Sequence, residues 1–123
     1  MRTSIYIDGF NLYYLAVRGT RYKWLDLKAV CQKLLPPVCK IEVIKYFTAR
    51  VSGKFDPDQP IRQSTYIRAL ESYIPELEVY SRELQKHANF VKQIRKGVLS
   101  SSQLPDPVPG ENPGESYSKP AGW

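Results

Sequence analysis

The sequence has 123 residues, of which 42% are apolar and 24% charged, and 18 lysines and arginines against 12 acids leave a formal charge of +6. That length fits one domain with a core of its own. No apolar run approaches the ~20 residues of a membrane span, and Asp8 interrupts the first segment where a secretory signal would be apolar, so a cytoplasmic protein with no membrane partner is expected.

The positive balance suits a polyanionic partner such as nucleic acid, and it serves solubility equally well. Cys31 and Cys39 flank Pro36-Pro37, form no CxxC pair and lie far from the single His87. A zinc site is therefore not expected, and two reduced thiols are.

Residues 3–7 (TSIYI) are β-branched and aromatic and lead into Asp8-Gly9, which predicts a first strand with Ile5 and Ile7 on one face and Tyr6 on the other. The run is short and mostly apolar, so a central place in the sheet is expected. Phe10–Val17 has the composition of a short helix, and Arg18-Gly19-Thr20 ends it. Asp26 is placed to cap a second helix in which Leu27, Val30, Cys31, Leu34 and Leu35 share a face, and Pro36-Pro37 stops it.

Residues 39–49 alternate in part, with Ile41 and Val43 separated by Lys40, Glu42 and Lys45, and predict a strand. A loop rich in turn formers, 52–60, leads to a helix from Ile61 that Pro75 ends. Leu77 and Val79 alternate with Glu78 and Tyr80 in a third strand. The order β-α-α-β-α-β predicts an α/β fold with a parallel sheet and right-handed crossovers.

Residues 1–80 make the main unit. Residues 81–98 are basic, with Leu84, Ala88, Val91, Ile94 and Val98 at helical spacing, and predict a short amphipathic helix. Residues 99–123 hold five of the ten prolines and three of the seven glycines, and their few apolar side chains predict a flexible loop or tail.

The chemistry concentrates in Ile5-Tyr6-Ile7-Asp8-Gly9-Phe10-Asn11-Leu12. Ligands of a parallel α/β sheet sit at the carboxyl ends of its strands, where Asp8 falls. A carboxylate there is a hard oxygen ligand for Mg²⁺ or Mn²⁺. Asn11 can cap the following helix or orient Asp8. Read alone, Asp8-Gly9 is equally a plain strand-to-helix turn.

The stretch IYIDGFNLYY as a whole resembles the opening of NYN domains, in particular the LabA-like group, whose fold is PIN-like. Tyr46-Phe47-Thr48-Ala49-Arg50 looks like that group's second-strand motif, and Gln63, Tyr66, Leu70 and Glu71 like its next helix. The resemblance covers roughly residues 3 to 80. It implies a three-layer PIN-like, Rossmann-like parallel sheet with helices on both faces. It further implies a metal-dependent ribonuclease site with Asp8 as metal ligand and catalytic carboxylate, Asn11 beside it, and Mg²⁺ or Mn²⁺ as cofactor.

Arg50, just past the second strand, would meet an RNA phosphate. Arg18, Arg21 and Lys23, interleaved with Tyr13, Tyr14, Tyr22 and Trp24, form a basic-aromatic cluster able to stack on bases and pair with phosphates. The same residues also read as a packed helix with a solvated face, the commoner role of such a cluster.

The family's later motifs, a Lys-Gly-Ser/Thr-Asp segment and a Ser-x-Asp-Ser-Asp-like strand end, are missing; after residue 80 the acids are Glu83, Asp106, Glu111 and Glu115. The expectation is a domain truncated at its C-terminal side and inactive as it stands, with an incomplete sheet through which copies can associate. The alternative is a non-catalytic module that binds RNA or a protein. A nucleotide-binding doubly wound domain fits poorly, because neither GxGxxG nor GxxxxGK[ST] follows a strand.

Overall fold

The computed structural model describes residues 2–49, 51–81, 94–121 and 123, with the side chains of Tyr14 and Leu15 left aside. Strand β1 (Arg2–Asp8) passes into α1 (Gly9–Leu12), which widens into a π-helical turn over Tyr13–Val17. Helix α2 (Leu27–Leu34), strand β2 (Lys40–Phe47), helix α3 (Gln59–Tyr73) and strand β3 (Leu77–Tyr80) follow. The expected β-α-α-β-α-β order is present, with boundaries moved by one or two residues.

Local chemistry sets these boundaries. The Asp26 carboxylate accepts from the Ala29 backbone N–H at 3.1 Å, satisfying one of the amides orphaned at the start of α2. Pro60 stands in the first turn of α3, where its missing N–H costs nothing, and Ile74 turns extended before Pro75.

The three strands are parallel and ordered β1-β2-β3. Among the described residues β2 is therefore central and β1 lies at an edge, which corrects the central place expected of β1. The burial along β1 alternates, as one covered face requires, and a short apolar-looking run with Arg2, Ser4 and Tyr6 outward suits an edge.

Register decides which rows face the core. Ile5, Ile44 and Leu77 form one row and Ile7, Tyr46 and Val79 the next, and both join the central cluster. Val30 of α2 and Ala69 and Leu70 of α3 belong to that same cluster. The described helices thus cover one face of the sheet, not the two faces the resemblance implied.

The opposite face carries Tyr6, Lys45 and Glu78 in one row and Phe47 and Tyr80 in the next. Its rings stack across the strands: Phe47 and Tyr80 lie 5.0 Å apart at 16°, and Tyr6 and Phe47 6.3 Å apart at 17°. Lys45 Nζ lies 5.7 Å from the Tyr6 ring centre.

The last segment differs most from expectation. Of the basic helix expected over 81–98, residues 82–93 lie outside the described residues, and a one-turn α4 (Lys96–Ser100) follows. The stretch from Leu99 on, expected as a loose tail, is anchored in the core: Leu99, Ser102, Leu104 and Val108 are buried, while most of its other described residues are exposed or half-exposed. Val108–Pro109 (β4) and Ser116–Tyr117 (β5) pair antiparallel.

The segment works as a strap. Its backbone meets the chain just before α2, with Leu104 N donating to Trp24 O at 2.8 Å and Asp26 N to Ser102 O at 2.7 Å. The Trp24 indole N–H donates to Pro105 O at 2.8 Å, and the Ser72 hydroxyl at the end of α3 to Pro109 O at 2.5 Å. Lys33 Nζ reaches Ser101 O and Ser102 Oγ, each at 2.8 Å. Hydrogen bonds to carbonyls substitute here for the apolar side chains the segment lacks.

Candidate functional site at the carboxyl edge of the sheet

The carboxyl ends of β1 and β2 lie side by side, Asp8 against Phe47. Gly9 is buried where α1 leaves β1: a Cβ there would stand 2.8 Å from Phe47 O and 3.0 Å from the Tyr46 ring. Only glycine lets the first turn of α1 approach the end of β2 so closely.

Asp8 caps α1. Its Oδ1 accepts from the Asn11 backbone N–H and its Oδ2 from the Asn11 side-chain amide, both at 3.2 Å. The structure therefore brings the two motif residues together, with Asn11 fixing the carboxylate and Asp8 satisfying the helix start. This geometry serves either a ligand carboxylate or a plain cap.

The metal expectation can be weighed on the donor set. Among the described residues no three His, Cys, Asp or Glu side chains gather into a group that could hold a cation. One carboxylate, already engaged through both oxygens, is a sparse donor set for Mg²⁺ or Mn²⁺, which is held by one or two carboxylates together with phosphate oxygens and waters.

Beside this edge opens a cleft of about 690 Å³, between α1, the end of β2, the 51–55 loop and the start of α3. Tyr13, Tyr46, Tyr66, Phe55 and Trp123 supply much of its wall. Lys23 and Arg62 line it, and among the described residues no aspartate or glutamate does. Asp8 is outside the lining.

Gln63, on the first turns of α3, organises the mouth. Its Nε2 donates to Ala49 O at 2.8 Å and to Thr48 Oγ1 at 3.2 Å, while its Oε1 accepts from Val51 N at 3.0 Å. One amide thus holds the chain on both sides of position 50. Arg50 itself, expected at the RNA phosphate, lies outside the described residues.

The floor is aromatic and neutral. Burial pushes the Tyr46 phenol up to about 12, the nearby Asp8 charge adds to this, and a hydrogen bond with Thr48 opposes it. Burial likewise raises Tyr66 well above its ordinary value, and its hydroxyl donates to Leu25 O at 2.7 Å. Both phenols stay protonated at neutral pH. The Arg62 guanidinium hydrogen-bonds Asp56 and, with the Asp58 backbone N–H, holds that carboxyl below its usual range.

The other predicted cations lie along the approach. Arg18 and Arg21 are exposed, the Arg21 guanidinium 5.6 Å from the Tyr22 ring centre, and Lys23 is half-buried in the cleft wall. The cluster Arg18, Arg21 and Lys23 therefore runs from the end of the π-helical turn to the cleft. Sequence reasoning passed over the cleft roles of Thr48, Gln59, Arg62 and Trp123. Trp123 packs edge-on to Tyr66 with ring centres 5.4 Å apart, a contact across the chain that no local pattern announces.

The chain matches no protein-family description and no solved structure. It is similar to the 6-hydroxy-3-succinoylpyridine 3-monooxygenase HspA of Pseudomonas putida, with 42% identity over 66 residues. The match covers 42% of this chain and 21% of that protein, so the chain spans about a fifth of the length of the curated relative it matches.

Proposed function

We propose that this chain is a nucleic-acid-binding domain of NYN type that holds single-stranded RNA at the carboxyl edge of its sheet without cleaving it. The observation that carries this reading is the composition of the cleft: among the described residues its lining has aromatic walls, Lys23 and the Asp56-paired Arg62 as its cations, and no carboxylate side chain. Rings stack on unpaired bases of any sequence, and cations meet the phosphates between them. Arg18 and Arg21 extend the positive track outward from Lys23. The edge position of β1 among the described residues offers a surface for self-association.

Metal-dependent cleavage is the reading for a longer protein in which further carboxylates join Asp8; its support here is the Asp8–Asn11 pair. The activity in the name of the Pseudomonas putida relative is not carried over, since the shared stretch is a small part of that protein.

The test is the fluorescence anisotropy of a labelled twelve-nucleotide RNA titrated with the protein at several salt concentrations. Binding that weakens steeply with salt and is indifferent to Mg²⁺ is expected. No binding at low salt, or binding that salt leaves unchanged, overturns the reading. Cleavage of the RNA on adding Mg²⁺, abolished by Asp8→Asn, would replace it with the nuclease reading.

A further inference from the structure

The polar side chains lining the cleft divide into two groups. Gln63 and Thr48 are tied to each other, Ser52 Oγ accepts from Lys54 N, Tyr66 is bound to Leu25 O and Arg62 to Asp56. These groups hold the fold. Lys23 and the side-chain amide of Gln59 line the same cleft and have no hydrogen bond or ion pair among the described residues.

Lys23 is half-buried in the cleft wall, its aliphatic stem against apolar surface, and among the described residues no anionic side chain pairs with it. The nearby rings do not neutralise it, because both buried phenols keep their protons. Among the described residues the cleft therefore has a positive electrostatic bias, an aromatic body and, at Gln59, a spare amide. Its volume of about 690 Å³ lies inside the range of ~300–1,000 Å³ typical of sites for small molecules.

We infer that the cleft is a binding site for a small planar aromatic anion, its charged group paired with Lys23 and its ring among Tyr13, Tyr66 and Trp123, with Gln59 meeting a polar substituent. The shared chemistry is a flat ring carrying one acidic group, which a free aromatic carboxylate and a nucleotide both offer. The site goes beyond the RNA reading, because it needs no strand and no contact along Arg18 and Arg21.

The experiment uses the full chain and its own tryptophan emission, since Trp123 lines the cleft and Trp24 packs against it with ring centres 6.3 Å apart. The probes are 4-hydroxybenzoate, adenosine monophosphate, adenosine and inorganic phosphate. Saturable quenching by 4-hydroxybenzoate or by adenosine monophosphate, with none by phosphate alone, is the expected result. Quenching by the benzoate alone assigns the site to free aromatic acids, and quenching by adenosine monophosphate alone assigns it to nucleotides.

Lys23→Gln should weaken binding of the anionic probe about tenfold or more, as loss of a charge-assisted hydrogen bond does, while binding of adenosine stays as it was. Lys23→Arg should keep most of the affinity, and unchanged thermal midpoints for both variants exclude a folding effect. No quenching by either anionic probe, or equal affinity in Lys23→Gln, overturns the inference. The two readings fail separately: RNA binding without quenching by the small probes removes this site alone, and quenching without RNA binding removes the RNA reading alone.

Discussion

Residues 2–80 and residues 94–123 hold their shape by different means. The first region is a ladder: parallel strands in register, two rows of apolar side chains, and helices whose buried faces follow the helical period. The second has a one-turn helix and two-residue strands, and is held by single hydrogen bonds to carbonyls and by a few large contacts. The difference teaches that a segment poor in apolar residues can still be ordered when another part of the chain supplies the apolar surface. Here the supplier is Trp24, 1% exposed, which sits between the two regions.

The largest expected effect breaks both regions together. Trp24→Ala removes the indole hydrogen bond to Pro105 O and the ring contacts with Tyr66 and Trp123, and should cost about 3–5 kcal/mol in urea unfolding. A loss below 1 kcal/mol would show that the strap does not depend on this side chain.

Leu104→Ala tests the strap alone. About 2–4 kcal/mol should be lost, and hydrogen exchange should quicken at Leu104 and Asp26 before it does in β2. Uniform quickening across β2 would mean that the two regions unfold as one.

Gly9→Ala tests the ladder side. The new methyl meets the Phe47 carbonyl, a backbone atom that cannot swing away, so about 1–3 kcal/mol of destabilisation is expected along with altered cleft binding. A variant as stable as the parent would show that α1 can draw back from β2.

The smallest effect concerns alkaline pH. Burial, with the Asp26 charge adding to it, pushes the Cys31 thiol from 9.0 up to about 12, and Tyr46 rises from 10.0 to about 12. Both folded values are raised, so their contribution is fully present below the unfolded values and is lost as pH climbs through the folded ones. Stability should therefore fall progressively between about pH 9 and 12. At pH 8 a thiol reagent should label half-exposed Cys39 and spare Cys31.

What was legible in the sequence follows the same division. Asp26 as a cap, Pro75 as a stop and the strand character of β2 act within a few residues, and each stands where the pattern put it, although a register shift after Ile41 breaks the expected alternation and puts Ile44 and Tyr46, not Val43, in the core. The Asp8–Asn11 pair was legible because its partners are three residues apart. The strap was not, because the partners of Gln103, Pro105 and Trp123 lie across the chain. Composition predicted too little apolar surface within 99–123, and it could not register the surface lent by Trp24 and Tyr66. The edge place that β1 has among the described residues was missed for a related reason: a row of half-buried residues resembles a fully buried one when the strand is this short.

Trp24 and Pro105 are separated by 81 positions, as are Tyr22 and Gln103. Such contacts raise the loop-closure entropy that must be overcome before they form, and they slow folding. During synthesis, which proceeds from the N-terminus at ~5–20 residues per second, Trp24 leaves the ribosome several seconds before the residues that cover it. Throughout that interval a large indole stands uncovered on the nascent chain, a natural foothold for a chaperone and a point from which misassembly can start.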